Sequence, residues 1–158
     1  MAGKAIVVGI GNPLRADDSV GLRVARTLKD HLEPLGITVV EASVSGMDLV
    51  EMLIGYDRAL LVDAIQTEGG APGQVLRITP EALRTGRLAS ASHTLDLTSA
   101  LDLGRKLGMA LPNEVIIFAI EVADMESFTE ECTPEVARAV PVCAEMVVRE
   151  LGVEAGLG

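Results

Sequence analysis

The sequence has no tryptophan, one tyrosine and two phenylalanines, so it offers no aromatic platform on which nucleic-acid bases could stack. It is also poor in positive charge. Thirteen Lys and Arg against 23 Asp and Glu give a net charge of −10, and phosphate backbones and anionic membranes both require a basic footprint. These shortages exclude nucleic acid and a charged membrane surface as partners. The two cysteines, Cys132 and Cys143, are spaced like neither a CxxC redox pair nor a zinc knuckle. No apolar run approaches the ~18 residues of a membrane span. The apolar stretch after Met1 is short and ends in glycines, unlike a signal-peptide core with its cleavage site, so the chain reads as soluble and cytoplasmic. The HExxH pattern of zinc peptidases and the GxSxG nucleophile elbow are both missing. No repeat, low-complexity segment or Pro/Gly-rich linker divides the chain, so residues 1–158 are read as one domain with a small-residue tail at 152–158.

What is present is an alternation of strand and helix patterns. "KAIVVGI" (4–10), "ITVVEA" (37–42), "RALLVDAI" (58–65) and "EVIIFAIEV" (114–122) are apolar runs of strand length, as expected of parallel strands covered on both faces, and "QVLRI" is a shorter strand after the Gly/Pro turn at 68–73. Helices are expected from about Asp18 to His31, with Val20, Val24, Leu28 and Leu32 on one stripe, and over 46–55 and 93–108. Two Thr-Pro signals, at Thr79 and Thr133, begin a brief helix and the last helix, whose core face is Val136, Ala139, Val140, Cys143, Met146 and Val147. The alternation predicts an α/β fold, a three-layer α/β/α sandwich on an open, mostly parallel sheet of about five strands in the order 2-1-3-4-5.

The chemistry gathers at one end of that sheet. "GIGNPLRADDSVG" (9–21) begins like a dinucleotide-binding loop, but Leu14 stands where the third glycine should let the helix pack close to the strand, and two acids follow, Asp17 and Asp18. A pyrophosphate would be repelled there. Asp18 falls at a helix start after the first strand, and Asp63 ends the third. The switch-point rule opens those two strand ends on one crevice. His93, in "SASHTLD", enters the helix leading to the last strand, and its loop can open on the same crevice. Two carboxylates and one imidazole suit a divalent metal such as nickel or zinc and leave a coordination position open. Sharing a metal would bring their ligating atoms within roughly 3–4 Å of one another. All three are expected to be partly exposed. Each signal also has an ordinary reading: the acid pair as a helix cap, Asp63 as turn chemistry, and Ser90 or Ser92 capping a helix beside a bystander His93.

Four stretches together resemble the [NiFe]-hydrogenase maturation proteases, peptidase family M52. "GIGNPLRADDSVG" is similar to the family's GxGNxLxxD(D/E)xxG, "LLVDAI" to its second acidic motif and "SASHTLDL" to its SxHxxxL motif. "IEVADMESFTEECTPEVARAVP" resembles its IEP stretch followed by LSPxVxxAxP. The resemblance covers nearly the whole chain and implies a single domain of that kind over 1–158. It makes Asp18, Asp63 and His93 the metal ligands and the candidate catalytic residues. The activity it implies is removal of the C-terminal extension of a hydrogenase large-subunit precursor after nickel insertion. Nickel then belongs to the substrate, with zinc or another divalent metal able to substitute in vitro. Glu41 stands where many members carry an aspartate before a Gly-Gly-Thr turn, here "ASVSG", which argues against a direct catalytic role, and Val122 replaces the usual proline. Two chemistries are open: the site docks the substrate's nickel, or a bound metal activates a water. Recognition fits an open three-ligand site better. The rival classes are a non-catalytic metal-binding chaperone and a nucleotide-binding oxidoreductase.

Overall fold

A computed structural model describes residues 3–84 and 97–153 of the chain. Its strands are β1 (Ala5–Ile10), β2 (Thr38–Ala42), β3 (Arg58–Ile65), β4 (Val75–Ile78) and β5 (Glu114–Glu121). Its α-helices are α1 (Val20–Leu32), α2 (Gly46–Met52), α3 (Pro80–Arg84), α4 (Leu97–Lys106) and α5 (Pro134–Leu151). The expected three-layer α/β arrangement is present. Strand alternation sends Val7, Leu60, Val62, Ile116 and Phe118 to one face, where they pack with α1 and α5, and Val8, Leu61, Ile65, Ile117 and Ala119 to the other, with α2 and α4. Because β1, β3 and β5 are covered on both faces, their sequences are continuous apolar runs.

The strand order corrects the expectation. The sheet runs β2-β1-β3-β5-β4, with β5 rather than β4 beside β3, and β4 lies antiparallel at the edge against β5. A parallel crossover needs about a dozen residues and usually a helix, and the Gly/Pro-rich stretch 66–74 between β3 and β4 holds none. β4 therefore returns antiparallel. Its half-buried side chains suit the edge, while all but the first residue of β5 are buried and suit the interior. The crevice argument survives, because β1 and β3 are still neighbours, with Gly9 opposite Val62.

The first helix also starts differently. Ala16–Ser19 form a 3-10 turn before α1, and neither the turn nor the helix has a side-chain cap, so the acid pair is not an N-cap. Ala16 itself takes φ +46°, a left-handed conformation that non-glycine residues adopt at a cost. The stripe Val20, Val24, Leu28 and Leu32 is fully buried, each side chain worth about 1.5–3 kcal/mol relative to exposure. Close approach of this helix to the sheet does not need a glycine at position 14. Gly9 and Gly21 supply it: a Cβ on Gly9 would collide with the Gly21 carbonyl, and one on Gly21 with the carbonyls of Ile10 and Val62. Among the described residues no helix is long and apolar enough to cross a membrane.

Candidate functional site

The two acids of the "ADD" sequence are buried together but do different things. Asp17 turns inward. Its Oδ2 accepts the main-chain N–H groups of Ala123 (3.0 Å) and Asp124 (2.9 Å), its Oδ1 accepts that of Thr133 (2.6 Å), and the Thr133 hydroxyl donates to both oxygens. Thr133 is thus engaged by Asp17 and makes no side-chain cap for α5. This carboxylate ties the connection after β5 to the connection after β1. More bonds run between the same two segments: Asp17 N–H to Asp124 O, Ala16 N–H to Thr129 O and Thr129 N–H to Leu14 O, with Arg23 donating to Glu130 O.

Asp18 instead lines an open cleft of about 620 Å³, together with Arg15, Gln66 and the stretch 123–126. The cleft lies at the carboxyl ends of β1, β3 and β5. Three acids, Asp18, Asp124 and Glu126, face one cation, Arg15, across it. Asp124 accepts the N–H groups of Glu126 and Ser127, and its interactions with Ser127, followed by that with Glu126, hold its carboxyl below the usual aspartate value. Asp63 sits near the carboxyl end of β3, before Ala64 and Ile65, opposite Ala119 of β5 and on the face covered by α2 and α4, with Oδ1 accepting the Ala64 N–H at 2.8 Å. The turn that carries Asp18 packs against β3. The structure thus brings the Asp18 and Asp63 segments to one end of the sheet.

Their burial corrects the expectation of partial exposure. Asp18 is 4% and Asp63 1% exposed, because Asp18 lies in a 3-10 turn whose four residues are all buried and Asp63 within a strand covered on both faces. Asp63 is not among the described residues of the cleft wall. His93 lies outside the described residues. Among those described, no three His, Cys, Asp or Glu side chains are grouped to hold a metal. Glu41 is paired on the surface with Arg26 at 2.8 Å, away from the cleft wall.

One acid of this region lies in the "IEV" stretch but has no role in the sequence reading. Glu121, the last residue of β5, is 2% exposed. Its Oε1 accepts the Thr67 N–H at 2.8 Å and the Thr67 hydroxyl, while its Oε2 is buried without a partner among the described residues. On main-chain bonds Glu121 also joins Gly73 and Gln74, so it fixes both ends of the connection after β3, where Gln66 enters the cleft wall. A charged residue closing the run "EVIIFAIE" was the signal available.

Among the described residues, neither Ser19 nor either cysteine is set up as a nucleophile with a base. Ser19 donates to Ala16 O, and burial pushes the Cys132 thiol up and the Cys143 thiol up to about 12. Nor does the first loop present amides to a pyrophosphate. Gly11 N–H donates to Ala42 O and Asn12 N–H to Asp18 O, which removes the basis of the nucleotide reading.

The family model described as hydrogenase maturation protease matches residues 22–150, starting directly after the "GIGNPLRADDSVG" stretch. The chain is 27% identical over 159 residues to the hydrogenase 2 maturation protease of Escherichia coli (strain K12), covering 96% of this chain and 94% of that protein. It is 26% identical to the hydrogenase expression/formation protein HupD of Rhizobium leguminosarum bv. viciae, covering 95% and 75%. Its fold is like that of the solved hydrogenase maturating endopeptidase HybD from E. coli, with a TM-score of 0.78, 24% identity and coverage of 96% and 95%. It is also like that of a [NiFe] hydrogenase maturation protease HybD from Thermococcus kodakarensis, with a TM-score of 0.72, 23% identity and coverage of 94% and 99%.

Proposed function

Since the chain belongs to the hydrogenase maturation protease family, and is a peptidase by that membership, we propose that it removes the C-terminal extension of a [NiFe]-hydrogenase large-subunit precursor once nickel is in place, and that Asp18, Asp63 and His93 recognise that nickel. The observation that carries the reading is Asp18 in the wall of an open cleft, on a turn packed against the strand that carries buried Asp63 near its carboxyl end.

Two carboxylate oxygens and an imidazole nitrogen are donors that nickel accepts, and three donors leave coordination positions for the groups by which the precursor already holds the ion. The metal is part of the substrate, and zinc or another divalent ion substitutes in binding assays. Recognition makes cleavage conditional on loading. The domain spans 1–158 and works where hydrogenase precursors are assembled, in the cytoplasm. Replacing Asp18, Asp63 or His93 by Ala should lower cleavage of the nickel-loaded precursor at least about 100-fold. Each change should also weaken nickel binding in calorimetry. A variant that binds and cuts like the parent removes that residue from the ligand set.

A further inference from the structure

Glu121 is held in a way that the end of a strand does not require. It is 2% exposed, and Gly70 makes room for it, since a Cβ there would collide with the Glu121 carboxyl group. The carboxylate closes on the turn after β3 through Oε1, which accepts both the main-chain N–H and the hydroxyl of Thr67, although Oε2 is left without a partner among the described residues. An unpaired buried oxygen destabilises a fold, so this latch is not there to strengthen the core. Gln66 is the residue that it steadies. Gln66 is exposed in the cleft wall, between Ile65, whose carbonyl accepts the Val122 N–H, and Thr67, which Glu121 holds, and its Nε2 donates to Ala123 O at 3.4 Å. A connection between strands is ordinarily mobile, but here the residues on both sides of Gln66 are tied to the end of β5. Its chemistry is distinct in that wall. The other polar side chains lining it are donor-only, Arg15, or carboxylates, Asp18, Asp124 and Glu126. Among the described lining, the Gln66 carboxamide alone carries a donor and an acceptor side by side, the same pair that a peptide group presents.

We infer that Gln66 is a substrate-binding residue that takes a main-chain peptide group of the precursor in the cleft, and that Glu121, seated against Gly70, is the positioning residue that holds it there. The inference rests on the proposed peptidase reading of the cleft and deepens it by naming what the wall beside Asp18 binds. Glu121 touches no substrate. It acts through Thr67, so the carboxamide is ordered before the precursor arrives and less ordering remains to oppose binding. A contact to the main chain is indifferent to the side chains of the extension.

The test is steady-state cleavage of nickel-loaded large-subunit precursor by the parent protein and by Q66A, E121A, E121Q and G70A, with amide hydrogen exchange on each. Q66A changes an exposed side chain and should fold as the parent does. It should raise KM about tenfold with kcat within about twofold, and by about the same factor for precursors in which single residues of the extension are changed to Ala. E121A removes the latch and G70A pushes the carboxylate out of its seat. Both should speed exchange at the Thr67 amide while β1, β3 and β5 stay protected, and both should raise KM as Q66A does. E121Q keeps a side-chain oxygen for Thr67 and should return KM to within about threefold of the parent. If E121A fails to fold, G70A and E121Q decide. An unchanged KM in Q66A, a loss confined to kcat, or a penalty that vanishes when one side chain of the extension is removed overturns the main-chain contact. Faster exchange at Thr67 with KM unmoved, or E121Q as impaired as E121A or G70A, overturns the role of Glu121. A parent protein that leaves loaded precursor uncut overturns the functional reading and this inference with it, a result distinct from the others.

Discussion

Asp17 and Asp18 are chemically identical neighbours, and what separates them is the set of donors each meets. Asp17 is surrounded by N–H groups from residues more than a hundred positions away, whereas Asp18 faces a cleft. No sequence window holds both the acid and its partners, which is why the division of labour was not legible. The nearness of the Asp18 and Asp63 segments was, because a strand end can be read from an apolar run and the switch-point rule then pairs the two ends. The thiols give a prediction at this scale. Cys143 is fully buried and raised to about 12, and burial also raises Cys132, so both stay protonated at neutral pH. Treatment with iodoacetamide should leave the rate of precursor cleavage unchanged within about twofold. Inactivation that disappears in Cys132→Ser would show that a thiol takes part.

Among the elements, α1 is the one that sets the site, because its start carries the acid turn and its stripe locks it to the sheet. The stripe was readable from the spacing of Val20, Val24, Leu28 and Leu32. The contact that brings the helix close was not: Leu14 stands where a dinucleotide fingerprint has its packing glycine, while Gly9 and Gly21 give the close approach from other positions. Gly21→Ala should therefore force α1 off the carbonyls of Ile10 and Val62, at about 2–3 kcal/mol. In a domain of this size that lowers Tm by roughly 5–10 °C, measurable by calorimetry, and the displaced Asp18 should cut less precursor even below the new Tm. An unchanged Tm would mean that the close approach is not needed. β4 illustrates the opposite limit. Its four residues, three half-buried and Arg77 exposed, carry no sign of direction or neighbour, so only the length of the 66–74 connection could have indicated an antiparallel edge.

At the scale of the whole molecule, the connections that follow β1, β3 and β5 converge on one end of a mixed sheet, and the chemistry is placed there by topology rather than by any local motif. The acid turn follows β1, Asp63 lies near the carboxyl end of β3, and the loop that walls the cleft follows β5. The layer architecture was legible because five apolar runs alternate with amphipathic helices. The edge order was not, and neither was the depth at which Asp18 and Asp63 are buried, since burial depends on how distant segments fold over them. The central claim is that this end of the molecule inspects nickel before a peptide bond is cut. Its most direct test is to incubate the protein with large-subunit precursor in nickel-loaded and nickel-free forms and weigh the products by mass spectrometry. The account predicts a shortened subunit from the loaded form and intact mass from the nickel-free form; equal trimming of both would contradict it.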